Sequence, residues 1–157
     1  MALPDTCCIP LAAALLASGC MADTTPRAGE AADGIDRCAL LTDEEVAAAI
    51  GPHRGGRAGG PGIQTQYGTA GCRWVSRDAP HVFVELAMFG TQSGAWARDQ
   101  ATGATLPGAA AGMRYDEIAA ELWFECGRRL CSLQLYTPTG GDPARAQVLA
   151  GRVEQRL

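Results

Sequence analysis

Four cysteines, Cys38, Cys72, Cys126 and Cys131, have the widest choice of chemistry in this sequence. In an oxidising compartment four thiols pair as disulfides, in one of three connectivities. The competing use is a structural zinc site, but zinc-binding cysteines usually come as pairs two residues apart, and this sequence has no such pair. Cys-x-x-Cys redox chemistry is absent for the same reason. A catalytic Cys72 or Cys126 would need a distant histidine. His53 falls in a Gly-rich loop and His81 at a strand start, and Gly-x-Ser-x-Gly does not occur. Glu44, Glu45, Asp116, Glu117, Glu121 and Glu125 offer carboxylates for a paired-acid hydrolase. Acids at capping and strand positions are more simply solvated surface. No motif implies a cofactor or a metal.

Whether the thiols are oxidised depends on where the chain resides, and the amino-terminal segment bears on that. Ile9 to Ala17 is an apolar run, and no charge falls between Thr6 and Met21. The run is too short to span a bilayer as a helix, which takes about 20 apolar residues. Small residues at Ala17, Ser18 and Gly19 precede Cys20 and leave a peptidase room at the backbone. The stretch Leu15-Leu16-Ala17-Ser18-Gly19-Cys20 resembles the lipobox of bacterial lipoproteins, which implies lipidation of Cys20 and a membrane attachment through that lipid. It departs from the pattern in two ways. The first ten residues carry no Lys or Arg, and the leucine stands one place earlier than usual, at Leu16. The expected division is a signal peptide over 1–19, a flexible tether over 20–37 and a single domain over 38–157. The tether, rich in Asp, Thr, Pro, Gly and Ala, holds too little apolar surface to fold.

The net charge of −4 argues against nucleic acid as a partner. All 13 basic residues are arginine.

Within the domain, Thr42 and Glu45 form a capping box, with Leu41 and Val46 as its hydrophobic staple. Val46, Ala49 and Ile50 make the buried stripe, and Gly51-Pro52 stop the helix. Residues 51–62 read as a mobile Gly-rich linker. Strands follow over Gly71–Arg77 and His81–Phe89; in the second, Val82, Val84, Leu86 and Met88 share one face. A short helix over Ser93–Thr102 presents Trp96, and Gly112–Asp116 reads as a strand. At the carboxyl end Asp142 caps a helix with Pro143 in its first position, and Ala146, Leu149, Ala150, Val153 and Leu157 trace its apolar face.

Leu122–Cys126 and Cys131–Tyr136 form the clearest hairpin. If Cys126 faces Cys131, Phe124 opposes Leu133 and Leu122 opposes Leu135, all on one face, with a four-residue loop. That register favours Cys126–Cys131 and leaves Cys38 to Cys72. On the opposite face it sets Glu121 against Tyr136, Trp123 against Gln134 and Glu125 against Ser132. Trp123 and Tyr136 among carboxylates form an aromatic patch, exposed unless a helix covers it. Exposed Trp and Tyr are enriched at contact surfaces, so this face is the expected site for a partner or a cationic ligand.

The run Cys38-Ala39-Leu40-Leu41-Thr42-Asp43-Glu44-Glu45-Val46, then Gly71-Cys72-Arg73-Trp74 and Leu106-Pro107-Gly108, resembles an uncharacterised family of actinobacterial envelope lipoproteins. The resemblance implies an extracytoplasmic address and an α+β fold, and no activity. Cys126 and Cys131 lie outside the matching residues. The expected fold is an antiparallel sheet of about five strands with helices on one face, in order α-β-β-α-β-β-β-α, with two disulfides. The expected function is a lipid-anchored, non-catalytic binding or accessory domain, with an envelope protein or a small ligand as partner. The alternative is an envelope hydrolase using surface carboxylates.

Overall fold

The computed structural model describes residues 34–59, 70–90, 94, 97–99, 101, 103–107, 109 and 112–157. The signal segment, Cys20, most of the tether, Trp96 and residues 60–62 lie outside the described residues.

A 3-10 turn, Arg37–Leu40, leads into α1, Asp43–Ile50. The capping box forms as the sequence implies: Thr42 Oγ1 accepts from the Glu45 N–H at 3.3 Å, and Glu45 Oε2 accepts from the Thr42 N–H at 2.9 Å. The strands are β1 (Arg57–Ala58), β2 (Ala70–Val75), β3 (Phe83–Phe89), β4 (Ala104–Thr105), β5 (Arg114–Asp116), β6 (Glu121–Cys126), β7 (Arg129–Thr137) and β8 (Gly140–Gly141). Helix α2, Pro143–Glu154, closes the domain behind its Asp142 cap. Leu157, expected on the apolar face of α2, lies beyond its end and is 46 % exposed.

The strands form one antiparallel sheet in the order β1-β2-β3-β7-β6-β5-β4, with β8 paired to β7. Eight strands are described rather than about five. Five of them run three residues or more; β1, β4 and β8 have two residues each, too short to show a period of two. On the inner face Cys72, Trp74, Val84, Leu86, Leu122, Phe124, Leu133 and Leu135 pack beneath Val46 of α1 and Ala146, Leu149 and Val153 of α2. Helical residues are not confined to that side. Ala97, in the helical residues 97–99, packs with Ala87, Phe89, Trp123 and Leu130 on the outer face.

Both disulfides form as the hairpin argument favours, Cys38–Cys72 and Cys126–Cys131. The register behind that argument differs by two residues. Cys126 opposes Arg129, Phe124 opposes Cys131 and Leu122 opposes Leu133. The loop is two residues, Gly127-Arg128, because Gly127 takes a φ of 65°, the left-handed conformation that tight hairpins need. A two-residue shift keeps every side chain on its face, so the cysteines stay close enough to bond diagonally.

Residues 51–59 are likewise not a mobile linker. His53 is buried and bridges Ser76 across the sheet edge, and its Nδ1 accepts from the Gly55 N–H at 3.0 Å. Gly56 sits so close to the Cys72 sulfur and the Trp74 ring that an added Cβ would come within 2.7 Å of both. Only glycine closes this edge over the disulfide.

Candidate functional site

The outer face is organised by one cross-strand row. Arg73 opposes Glu85, Glu85 opposes Gln134, Gln134 opposes Glu121, and Glu121 opposes Asp116. At the usual strand spacing this polar row spans about 19 Å across five strands. The Arg73 guanidinium bonds Glu85 at 2.7 Å and lies 3.8 Å over the Phe83 ring. Phe83 stacks in turn on Tyr136, with ring centroids 5.2 Å apart.

The structure places the expected site residues in three environments. Glu121, Gln134 and Tyr136 fall together on the outer face, each partly exposed, away from the described helical residue Ala97 that packs on Trp123. Glu121 opposes Gln134 rather than Tyr136. Trp123 opposes Ser132 and is 8 % exposed, stacked on Phe89 at 5.4 Å beside Ala97. It is therefore a covered residue and leaves the accessible patch. Glu125 opposes Leu130 and pairs with Arg98 at 3.2 Å. That pair runs from the sheet to the helical residues that cover Trp123.

Burial pushes the Glu121 carboxyl above the usual carboxylate range, and the charges of Asp116 and Glu85 add to the rise. The Ser132 hydroxyl and the Trp123 indole N–H pull the other way. The indole N–H leans on Glu121 without completing a hydrogen bond, since Trp123 Nε1 is buried with no partner within hydrogen-bonding geometry. Among the described residues no cationic side chain pairs with Glu121.

A turn over residues 117–120 overhangs the row, and it is braced from several sides. Asp116 Oδ1 accepts from the N–H groups of Ile118 and Ala119 at 2.9 and 3.0 Å. Gln134 Nε2 donates to the Ala119 carbonyl, and the Tyr136 hydroxyl donates to the Ile118 carbonyl, each at 3.3 Å. Ala120 is bent to a φ of 50°, an uncommon conformation for a residue with a Cβ. These bonds hold Ile118 outward at 94 % exposure. Sequence reasoning missed Arg73, Phe83, Glu85 and Ile118 as members of this site. Glu85 was legible as an outward residue, but the β3–β7 pairing that sets it beside Gln134 joins segments about 50 residues apart. Ile118 carried no signal, because a lone apolar residue in a turn has no periodicity.

Among the described residues no three His, Cys, Asp or Glu side chains converge as a metal site, and no helix is long and apolar enough to cross a membrane. A separate groove of about 530 Å³ lies in the helical layer, between α1 and α2, on the other side of the sheet from Glu121. No family model, no curated protein and no solved structure matches the chain.

Proposed function

We propose that this chain is a lipid-anchored extracytoplasmic binding or accessory module, attached through Cys20, with its contact surface on the outer sheet face around Ile118, Tyr136 and Glu121. The observation that carries the reading is the rigid presentation of Ile118. A large apolar side chain at 94 % exposure adds nothing to the core, yet its turn is held by Asp116, Gln134 and Tyr136 at the expense of a left-handed Ala120. Backbone strain that a fold retains in this way commonly marks a functional position. Beside it, Glu121 offers a carboxylate with no cationic partner among the described residues, which favours a ligand or partner bearing a positive group. Both disulfides fit an oxidising compartment, consistent with export.

The second reading, an envelope hydrolase built from carboxylates, draws on one observation: the raised Glu121 carboxyl opposes Asp116. Such a pair could divide acid and base roles. Against it, the groove of about 530 Å³ among the described residues lies on the other side of the sheet from this pair.

Capture from envelope extracts tests the proposal, with the native chain compared against Ile118→Asp and Glu121→Gln. Ile118→Asp changes an exposed side chain and leaves the fold intact. The expected result is a specific partner retained by the native chain and lost with Ile118→Asp. Equal retention by all three proteins would rule out this face.

A further inference from the structure

The groove between α1 and α2 has no part in the contact surface above. Its floor and walls are apolar: Ala48 and Ala49 from α1, and Ala144, Val148 and Leu149 from α2. Val148 is 62 % exposed there, although it belongs to a helix whose other large apolar residues are buried. About 530 Å³ falls within the range of small-ligand sites.

Two acids, Glu45 and Asp142, and two arginines, Arg145 and Arg152, also line the groove, and Arg156 outside it adds a third cation through Glu45. Glu45 is matched by Arg156 through two bonds of 2.6 and 2.7 Å and also accepts from the Thr42 N–H. Asp142 caps α2 and faces Arg145 at 3.5 Å, while Arg145 donates to the Ala49 carbonyl at 2.8 Å. Arg152 is the odd cation. Its contacts are a 3.6 Å approach to the already matched Glu45 and a 3.3 Å bond to Gln155, and its side chain is 51 % exposed. An apolar trough with one surplus guanidinium at its rim complements an amphiphile of opposite design, a hydrocarbon chain ending in a single anionic group.

We propose that the α1–α2 groove binds a single-chain fatty acid, with the hydrocarbon along Ala48, Ala144 and Val148 and the carboxylate on Arg152. Arginine suits this role, since its planar fork presents parallel N–H donors to both carboxylate oxygens. The site is independent of the outer face and of any lipid on Cys20, so it stands or falls apart from the proposed function.

The test uses the full chain with Cys20→Ala, which excludes acylation, labelled for amide NMR and titrated with decanoate below its micelle concentration. The expected result is a saturable shift of α1 and α2 amides, with β5–β7 outer-face amides unmoved. Acetate, which has the head without the chain, produces no saturable shift. Decyltrimethylammonium, which has the chain with the opposite charge, binds at least fivefold more weakly. Arg152→Gln weakens decanoate by about fivefold, and Val148→Glu abolishes binding while the rest of the spectrum stays that of the native fold. Three results would overturn the proposal: no saturable decanoate shift, equal binding of the cationic amphiphile, or α2 shifts that follow protein concentration alone. The last would make the groove a contact between two copies of this chain.

Discussion

On the inner face of the sheet Trp74, Leu86, Phe124 and Leu133 have 1 % of their surface exposed or less, in one cluster with the buried residues of α1 and α2. On the outer face, one residue along each strand, the row Arg73-Glu85-Gln134-Glu121-Asp116 crosses the same hydrogen-bonded ladder. Both faces share one backbone, so the contrast is due to side chains alone. The inner face spends its residues on burial, and the Tyr115 hydroxyl, opposite Leu122 on that face, is buried with no hydrogen-bond partner among the described residues. The outer face is half covered, by Ala97 over Trp123 and Phe89, and half polar. Its polar half is braced by hydrogen bonds rather than packing. Stability is therefore concentrated on one side and accessible polar surface on the other.

The largest effect should come from truncation on the inner face. Phe124→Ala should cost about 3–5 kcal/mol in chemical denaturation, whereas Phe83→Ala on the outer face should cost less than about 2 kcal/mol, because Phe83 is only partly buried and its ring partners are Arg73 and Tyr136. Equal losses would erase the distinction between the faces.

The crosslinks sharpen it next. Cys38–Cys72 closes a separation of 34 residues and ties the 3-10 turn to β2, while Cys126–Cys131 closes only 5. On the chain-entropy model, replacing the first pair by serine should cost about 4 kcal/mol and the second about 2 kcal/mol. Paired denaturation curves would show whether that order holds.

Two acids then separate the layers by pH. Hydrogen bonds from Arg156 hold the Glu45 carboxyl at about 2, against a partial burial cost, with help from the Thr42 N–H and the Arg152 charge. A depressed carboxylate contributes stability that is full above the unfolded value, near 4.5, and fades as pH falls toward about 2. Glu45→Gln should thus lose about 1 kcal/mol at pH 7 and approach the native chain at pH 2. Glu121 has the opposite sign. Burial raises its folded value, so its favourable state is the protonated one, present at low pH and lost as pH rises through the folded value. Glu121→Gln should therefore leave stability unchanged at low pH and raise it slightly at pH 7, by less than about 1 kcal/mol. Thermal melts at both pH values check the two signs together.

How much of this was legible in the sequence follows from range. The Thr42–Glu45 capping box, the Asp142-Pro143 start of α2 and the inward stripe Val82, Val84, Leu86, Met88 are local patterns, and all are observed. The hairpin was legible as to face, since parity survives a two-residue shift, but its register was not. That was decided by the left-handed Gly127 in a shorter turn. The strands β1, β4 and β8 exist because a neighbouring strand was there to pair with, information that two residues do not carry. The site was half legible. Glu121, Gln134 and Tyr136 belong to one hairpin and came out together, whereas the cover over Trp123 comes from Ala97, outside that hairpin. Arg73 and Glu85 reach the row only through the long-range β3–β7 pairing.

The account rests on export, and intact mass spectrometry of the protein from its native cells, followed by peptide mapping, reads it directly. The predicted result is a chain that begins at an acylated Cys20 and contains the peptide pairs Cys38–Cys72 and Cys126–Cys131. A soluble chain that retains Met1 and carries those four cysteines as free thiols would contradict it.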